Sequence, residues 1–433
     1  MLEMRKMKDS GIEWIGEIPE GWEVGQIGQL YSERRTKVSD KDYPPLSVTM
    51  KGILPQLSTA AKTDAHDDRK LVCKGDFAIN SRSDRRGSCG ISEQDGSISL
   101  INTVLKPRGE MNPGYYNWLF HTSMFADEFY KWGHGIVDDL WTTGWSDMKK
   151  IGVPVPSKCE QKQLAEHLNV ECSHIDSILS KTCSSIEEYK KLKQAVITQT
   201  VTKGVRGERE MKDSGVEWIG EIPKTWIISN IGRFCFVTKL AGFEYTKEMD
   251  GHISPYGDVP IVRAQNIKMG RFIPNTREYI SLALSQKLSR CALNEKCLII
   301  TFIGAGIGEV ALFSNATRHH LAPNVAKIVI NHDMKQFLDD RFLLYFLMSS
   351  AGQEEVNKIK KATAQPSLSM QTIRSIKLAF PSTLQEQKEI ADFLDAKCAE
   401  IDKLIAKKEQ LVKELETYKK SLIYEVVTGK REV

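Results

Sequence analysis

The stretch "EQKQLAEHLNVECSHIDSIL", Glu160 to Leu179, returns 226 residues later as "EQKEIADFLDAKCAEIDKLI", Glu386 to Ile405. Each copy opens a helix. Ser157-x-x-Glu160 and Thr383-x-x-Glu386 are capping boxes just past a proline, Pro156 and Pro381. On a heptad, the first run places Ala165, Leu168, Cys172, Ile175, Leu179, Thr182, Ile186, Tyr189, Lys193 and Val196 at a and d. The second places Ala391, Leu394, Cys398, Ile401, Ile405, Lys408, Val412, Leu415, Lys419 and Leu422 there. Eight of ten are apolar in each run, with the exceptions at matching places. Neither run meets Pro or Gly before Gly204 and Gly429, so each predicts a helix of about 43 residues, roughly 65 Å long. Matching seams suit packing of the two helices on each other as a coiled coil. The alternative is two surface helices, each packed on its own domain.

A second repeat lies upstream of each helix. "MKDSGIEWIGEIPEGW", Met7 to Trp22, and "MKDSGVEWIGEIPKTW", Met211 to Trp226, share thirteen of sixteen residues. Gly, Pro and two Trp around short apolar spots read as a packed, irregular lead-in, anchored in the first copy by Trp14, Ile15, Ile18 and Trp22. The chain is therefore written twice: lead-in, variable region, long helix, then the same again. The period is too long for a solenoid, so a duplicated domain with its trailing helix is the simpler account. The expected division is 1–157 for the first domain, 158–204 for its helix, 205–382 for the second domain and 383–433 for its helix. The expected fold class is α+β: two similar globular domains separated by two long coiled-coil helices, with an internal pseudo-twofold repeat.

The variable regions, roughly 23–155 and 227–380, carry the same elements in divergent words. Strand, glycine turn and strand read "DFAINSRSDRRGSCGIS" in one and "CLIITFIGAGIGEVALFS" in the other. An extended segment, an aromatic-rich helix and a short strand ending in proline follow in both. The turns differ in chemistry. Ser81, Arg82, Ser83, Asp84, Arg85 and Arg86 gather hydroxyls and guanidinium forks suited to guanine edges or phosphates. The counterpart around Gly304, Ala305 and Gly306 is small and neutral. Polar donors of the second region fall instead in "VRAQNIKMGR": Arg263, Gln265, Asn266, Lys268 and Arg271, a mix able to read base edges. A solvated charged face is the plainer reading of either cluster.

Bulk properties leave this open. The 433 residues allow two or three domains, and 41% hydrophobic with 27% charged is ordinary for a globular chain. A net charge of +4 permits nucleic-acid binding without demanding it. Nine scattered cysteines without a C-x-x-C pair argue against a zinc site and a disulfide scaffold, and point to a reducing cytoplasm. Neither a membrane-length apolar run nor a signal-peptide core is present in the sequence.

The catalytic signals are weak. Asn112-Pro113-Gly114-Tyr115 resembles the Asn-Pro-Pro-Tyr motif of adenine-N6 methyltransferases. It lacks the second proline, and its place in the second half reads Leu338-Asp339-Asp340-Arg341; an N-cap with Pro at N1 accounts for it better. Gly304 to Gly308 lacks the Lys-Ser/Thr of a phosphate loop and leads into a strand. His319-His320 lacks further metal ligands. Asp67-Asp68 and Asp138-Asp139 lack the spacing of further acids and a lysine that a nuclease needs. The expectation is a non-catalytic chain, with no metal site.

Taken together, the doubled lead-in, the doubled "EQK..IA..L......ID" helix start and the alternating divergent domains resemble the specificity subunit of bacterial and archaeal type I restriction–modification systems. The resemblance spans nearly the whole chain from Met7. It implies that each variable region is a target recognition domain reading one half of a split, asymmetric double-stranded DNA sequence. It implies that the two long helices pack antiparallel, separate the domains, set the unread spacer and dock two modification (methyltransferase) subunits. Those subunits bring S-adenosylmethionine and methylate an adenine in each half-site. Restriction subunits bring ATP and Mg2+ for translocation and cleavage, and this chain binds no cofactor itself. The DNA readers carried over are the polar residues above, together with Asn102 and Asn324, taken as occupying like places, and the loops near Trp141 and Gln365. The coiled-coil seam is carried by Leu168, Ile175, Leu179, Ile186 and Tyr189, and by Leu394, Ile401, Ile405, Val412 and Leu415. A self-sufficient methyltransferase or nuclease, and a coiled-coil adaptor without a DNA role, are the competing classes.

Overall fold

The computed structural model describes residues 5–56, 67–82, 85–109, 111–135, 141–360 and 367–433. They divide into two compact units. Unit 1 comprises Met1–Cys183 with Glu409–Val433, and unit 2 comprises Ser184–Lys408. The long helices run Lys158–Lys203 and Leu384–Val427, 46 and 44 residues. Each helix contributes one end to each unit.

The same sheet is built in both units. In unit 1 four antiparallel strands lie in the order Cys89–Ile91, Phe77–Asn80, Asn102–Pro107 and Tyr31–Glu33. In unit 2 the order is Val310–Phe313, Cys297–Thr301, Val325–Ile330 and Cys235–Lys239. The second strand in chain order is entirely buried in each, which explains the apolar runs "FAI" and "CLII" that lead to a buried polar residue, Asn80 or Thr301. A further pairing closes each unit: Gly152–Val155 lies against Glu23–Gln26, and Lys377–Phe380 against Ile227–Asn230. Thus the strand that ends each variable region returns beside the strand that begins it, and hands the chain to a long helix.

An aromatic helix packs each sheet from one side. Pro113–Phe120 buries Tyr115, Tyr116, Leu119 and Phe120, and Asp340–Met348 buries Phe342 through Met348. Asn112 caps the first, its side chain accepting from the N–H of Gly114 and Tyr115, and Asp339 caps the second in the same way. The unit 1 core joins this helix to Trp14, Ile15, Ile18 and Trp22 of the lead-in. It also takes in Leu168 and Ile175 from the first long helix and Leu422, Val426 and Val427 from the second. The unit 2 core gathers the matching set: Ile219, Ile222 and Trp226, with Leu394 and Cys398, and Ile197 and Val201.

The lead-ins are more regular than the sequence suggested. Met7–Asp9 pairs with Glu17–Pro19, and Met211–Asp213 with Glu221–Pro223, in small antiparallel ladders. What holds them explains why the words repeat. The Glu160 carboxylate accepts from the Trp22 indole N–H at 3.1 Å and from the Arg5 guanidinium, which lies over the Trp22 ring. In unit 2, Glu386 accepts from Trp226 at 3.2 Å and from Arg209 at 2.6 Å, with Arg209 over the Trp226 ring. Glu160 also completes its capping box, accepting from the Ser157 N–H at 3.1 Å while its own N–H donates to Ser157 Oγ. Next door, Gln161 accepts from the Asn112 N–H and donates to the Pro156 carbonyl, both at 2.9 Å. Gln387 does the same for Asp339 and Pro381. The repeated Glu-Gln pair therefore ties helix start, lead-in and aromatic-helix cap together in each unit.

Along the helices, Leu168, Ile175, Ile186, Leu394 and Ile401 are buried, and Leu179, Tyr189, Ile405, Val412 and Leu415 are half-buried. The polar seam positions meet carboxylates of the other helix. Lys419 donates to Asp176 at 2.6 Å within unit 1, and Lys193 donates to both Asp402 oxygens within unit 2. In unit 2 Lys408 lies over the Tyr189 ring, so the helix segments there run antiparallel.

Candidate nucleic-acid interface

In unit 1 the strand ends of the main sheet open onto a cleft of about 290 Å3. It is lined by Ser47, Gln56, Arg69, Asn80, Arg82, Arg85, Ser99 and Asn102, with Leu46, Val48 and Ile101. Asn102 is buried, 4% exposed, and its amide is half committed: Nδ2 donates to the Ser99 carbonyl at 3.0 Å. Its Oδ1 is buried without a partner. A buried carbonyl oxygen without a donor is costly, and it can be satisfied only by an incoming N–H or O–H. Adenine N6 and cytosine N4 amines are such donors on a base edge.

Two cations lie in and beneath the cleft. The Arg69 guanidinium, buried, donates to Ser97 Oγ and to the Ser97 carbonyl, both at 2.9 Å, and Lys70 donates to the Asn102 carbonyl at 2.7 Å. Burial pushes both pKa values below their ordinary range, opposed in part by Asp40 for Arg69 and by Glu33 for Lys70. A phosphate brought to the cleft would offset that loss of solvation.

The arginines of the turn do not act as one group. Arg82 and Arg85 are exposed and line the cleft. Arg86 turns to the helix side, its guanidinium 3.6 Å from the Tyr130 ring centre and 3.2 Å from Asp127. Ser81 is corrected to a framework residue: it is buried, and its hydroxyl bonds to Thr103 Oγ1 at 2.9 Å. Ser83, Asp84, Gln365 and the Asp138-Asp139 pair lie outside the described residues. Trp141 is anchored, its indole N–H donating to the Tyr130 carbonyl at 2.9 Å.

In unit 2, Asn266 is likewise corrected to a framework residue. At 2% exposed, it accepts from the Arg263 N–H and donates to the carbonyls of Ile273 and Asn275, which uses its amide on both sides. Arg263 is paired with Glu278, and Lys268 lies 3.5 Å from Glu309. Gln265 and Arg271 are exposed. Asn324 is half-buried, and its Oδ1 has no partner, nor has Thr301 Oγ1 beside it. The two asparagines are not at like places: the strand pairing is the same in both units, and Asn324 falls one residue before the position that matches Asn102. Asn102 stands opposite Asn80, but Val325 stands opposite Thr301. Ser81 N–H donates to Ile101 where Phe302 N–H donates to Asn324, so Asn324 takes the place of Ile101. Asn324 therefore lies in the turn that leads into the strand, whereas Asn102 is the first residue of its strand.

Sequence reasoning missed Ser47, Gln56, Arg69, Asn80 and Ser99, which come to the cleft from four separate segments. One signal was available: "VTMKGILP" (Val48–Pro55) parallels "IKMGRFIP" (Ile267–Pro274), marking a shared hairpin. The His pair is structural. His320 is buried, hydrogen-bonded through its two ring nitrogens to the Leu321 and Leu288 carbonyls, and burial lowers its pKa. Among the described residues no group of His, Cys, Asp or Glu could hold a metal ion, and no helix is long and apolar enough to cross a membrane.

Comparison with known proteins agrees with this arrangement. Residues 223–415 match the family of type I restriction modification DNA specificity domains. Over 430 residues the chain is 24% identical to the type I restriction enzyme MjaVIII specificity subunit of Methanocaldococcus jannaschii, covering 95% of this chain and 93% of that protein. It is 24% identical over 441 residues to a putative MjaX specificity subunit of the same organism, covering 96% and 95%. Among solved structures, one from a study of complex assembly and conformational transition of the type I R-M system superimposes with a TM-score of 0.73. That match has 11% identity and covers 96% of this chain and 99% of that one. The HsdS subunit from Thermoanaerobacter tengcongensis gives 0.53 at 14% identity, covering 96% and 98%.

Proposed function

Because this chain belongs to the specificity subunits of type I restriction–modification systems, we propose that it is the DNA-reading, non-catalytic subunit of such a complex. Each globular unit reads one half of a split, asymmetric duplex target. The long helices set the spacer and dock two modification subunits. S-adenosylmethionine belongs to those subunits, and ATP with Mg2+ to the restriction subunits; the assembly works on DNA in the cytoplasm.

The observation that carries this reading is one framework with two chemistries. Strand order, aromatic-helix cap and Glu-Gln tie recur in both units. The residues at the sheet's open end do not: an asparagine acceptor with Arg82 and Arg85 in one, a glycine loop with Thr301 and Asn324 in the other. A duplicated scaffold holding unlike polar groups is what two unlike half-sites require.

The test is a genome-wide map of N6-methyladenine in the host with and without this gene. Loss of methylation at one bipartite motif is the expected result, and it reveals both half-sites and the spacer. An unchanged map in cells that carry an active modification subunit would refute the assignment.

A further inference from the structure

A hairpin outside the main sheet carries the same device in each unit. In unit 1, Leu46–Thr49 pairs with Gly52–Pro55, Thr49 opposite Gly52, so Met50 and Lys51 form the tip. In unit 2, Ile267–Lys268 pairs with Arg271–Phe272, so Met269 and Gly270 form the tip. Each hairpin packs on the corresponding edge strand, Cys89–Ile91 or Val310–Phe313. The tip methionine is 72% exposed in unit 1 and 37% in unit 2. Met50 gains little from folding, so core packing does not account for it, and Met269 stands at the matching place with part of its side chain still open.

Cations stand at both tips, with Glu93 sharing a hollow with Met50 and Lys51, and Glu309 3.5 Å from Lys268. Lys51 adjoins Met50, and Lys268 and Arg271 bracket the second tip, all exposed. The turn glycines hold the tips out. Gly52 has φ +101 with open space around it; Gly270 has φ +77, and a Cβ there would meet Met348 Cε at 2.6 Å. The first hairpin also supplies Leu46, Ser47 and Val48 to the cleft that holds Asn102, so tip and cleft share one element.

We infer that Met50 and Met269 are wedges that insert between neighbouring base pairs of duplex DNA, with Lys51, Lys268 and Arg271 on the flanking phosphates. This rests on the reading of the chain as a DNA-recognition subunit. An apolar tip with cations beside it is complementary to a stacked base step flanked by phosphates. A stacked step exists in every sequence, which suits a device shared by units whose reading residues differ. A partner protein's apolar pocket is the other conceivable occupant, but it gives no role to the cations on both hairpins.

The experiment uses the full chain assembled with the modification subunit, and a duplex carrying the mapped motif with 2-aminopurine placed at successive steps. Binding should raise fluorescence at one step in each half. Met50→Ala should abolish the rise in the first half only and weaken binding about tenfold, the effect of losing most of a buried methionine. Met269→Ala should do so in the second half, while Met50→Leu and the control Met124→Ala on an exposed helix keep both signals. Tight, motif-selective binding with no fluorescence rise at any step would overturn the wedge and leave the DNA-reading function standing. Alanine variants that bind DNA normally but lose the modification subunit would also overturn it, in favour of protein docking. Absence of any motif-selective binding by the wild-type complex would overturn both.

Discussion

Three arginines within five positions look interchangeable in a sequence, yet each has a different environment in the fold. Arg82 and Arg85 face the cleft beside Asn102, while Arg86 is held by Tyr130 and Asp127. Replacing Arg82 and Arg85 together by Ala should therefore alter the first half-site and leave the second unchanged. Arg86→Ala should leave the motif intact and lower stability by about 1 kcal/mol, the usual worth of a partly exposed cation–π contact with a weak ion pair. Methylation maps of the variants, with denaturant unfolding of each, separate the two effects. An equal loss at both half-sites from the first pair would mean generic phosphate binding instead. The same lesson holds for asparagine. Asn102 presents an unpartnered acceptor, whereas Asn266 has its amide filled by backbone groups, and only tertiary surroundings distinguish them.

Helices were the most legible elements, and their starts carry more than capping. Gln161 is 4% exposed and joins the cap of the aromatic helix to the carbonyl before the long helix. Gln161→Ala would strand a part-buried N–H and a buried carbonyl, at about 1–3 kcal/mol for the buried group and less for the other. The expected loss is about 2–4 kcal/mol, read as a lower denaturation midpoint with an unchanged slope. Gln387→Ala should cost a similar amount, since Gln387 makes the same bonds and adds the Phe337 carbonyl. A neutral result at both sites would mean water replaces the amide without penalty. By contrast, the Lys193–Asp402 and Lys419–Asp176 pairs are partly solvated, and each adds on the order of 0.2–1 kcal/mol. Their contribution is register more than stability, because a slipped helix would leave lysines facing apolar seam positions.

For the molecule as a whole, the proposed role of the helices as a ruler has a simple arithmetic. Adding about seven residues at the same level of both helices preserves the heptad seam and lengthens each by about 10 Å, or roughly three base pairs of duplex. The methylated motif should keep both half-sites and gain about that spacer. A changed half-site, or loss of methylation with the chain still folded, would count against the ruler. Duplication makes this economical: each unit takes the start of one long helix and the end of the other into its core, so both units need both helices to be complete.

The sequence alone determined the duplication, the long helices, the caps at Asn112 and Glu160 and the paired strands, because each depends on neighbours within a few residues or on identity between two copies. The candidate cleft was decided only in three dimensions. Its lining comes from around Ser47, Arg69, Asn80 and Asn102, brought together by strand pairing, and the same pairing in unit 2 puts Val325, not Asn324, at the place of Asn102. Which polar atoms remain unpartnered depends on every group packed around them, and that is a property of the folded chain rather than of any segment within it.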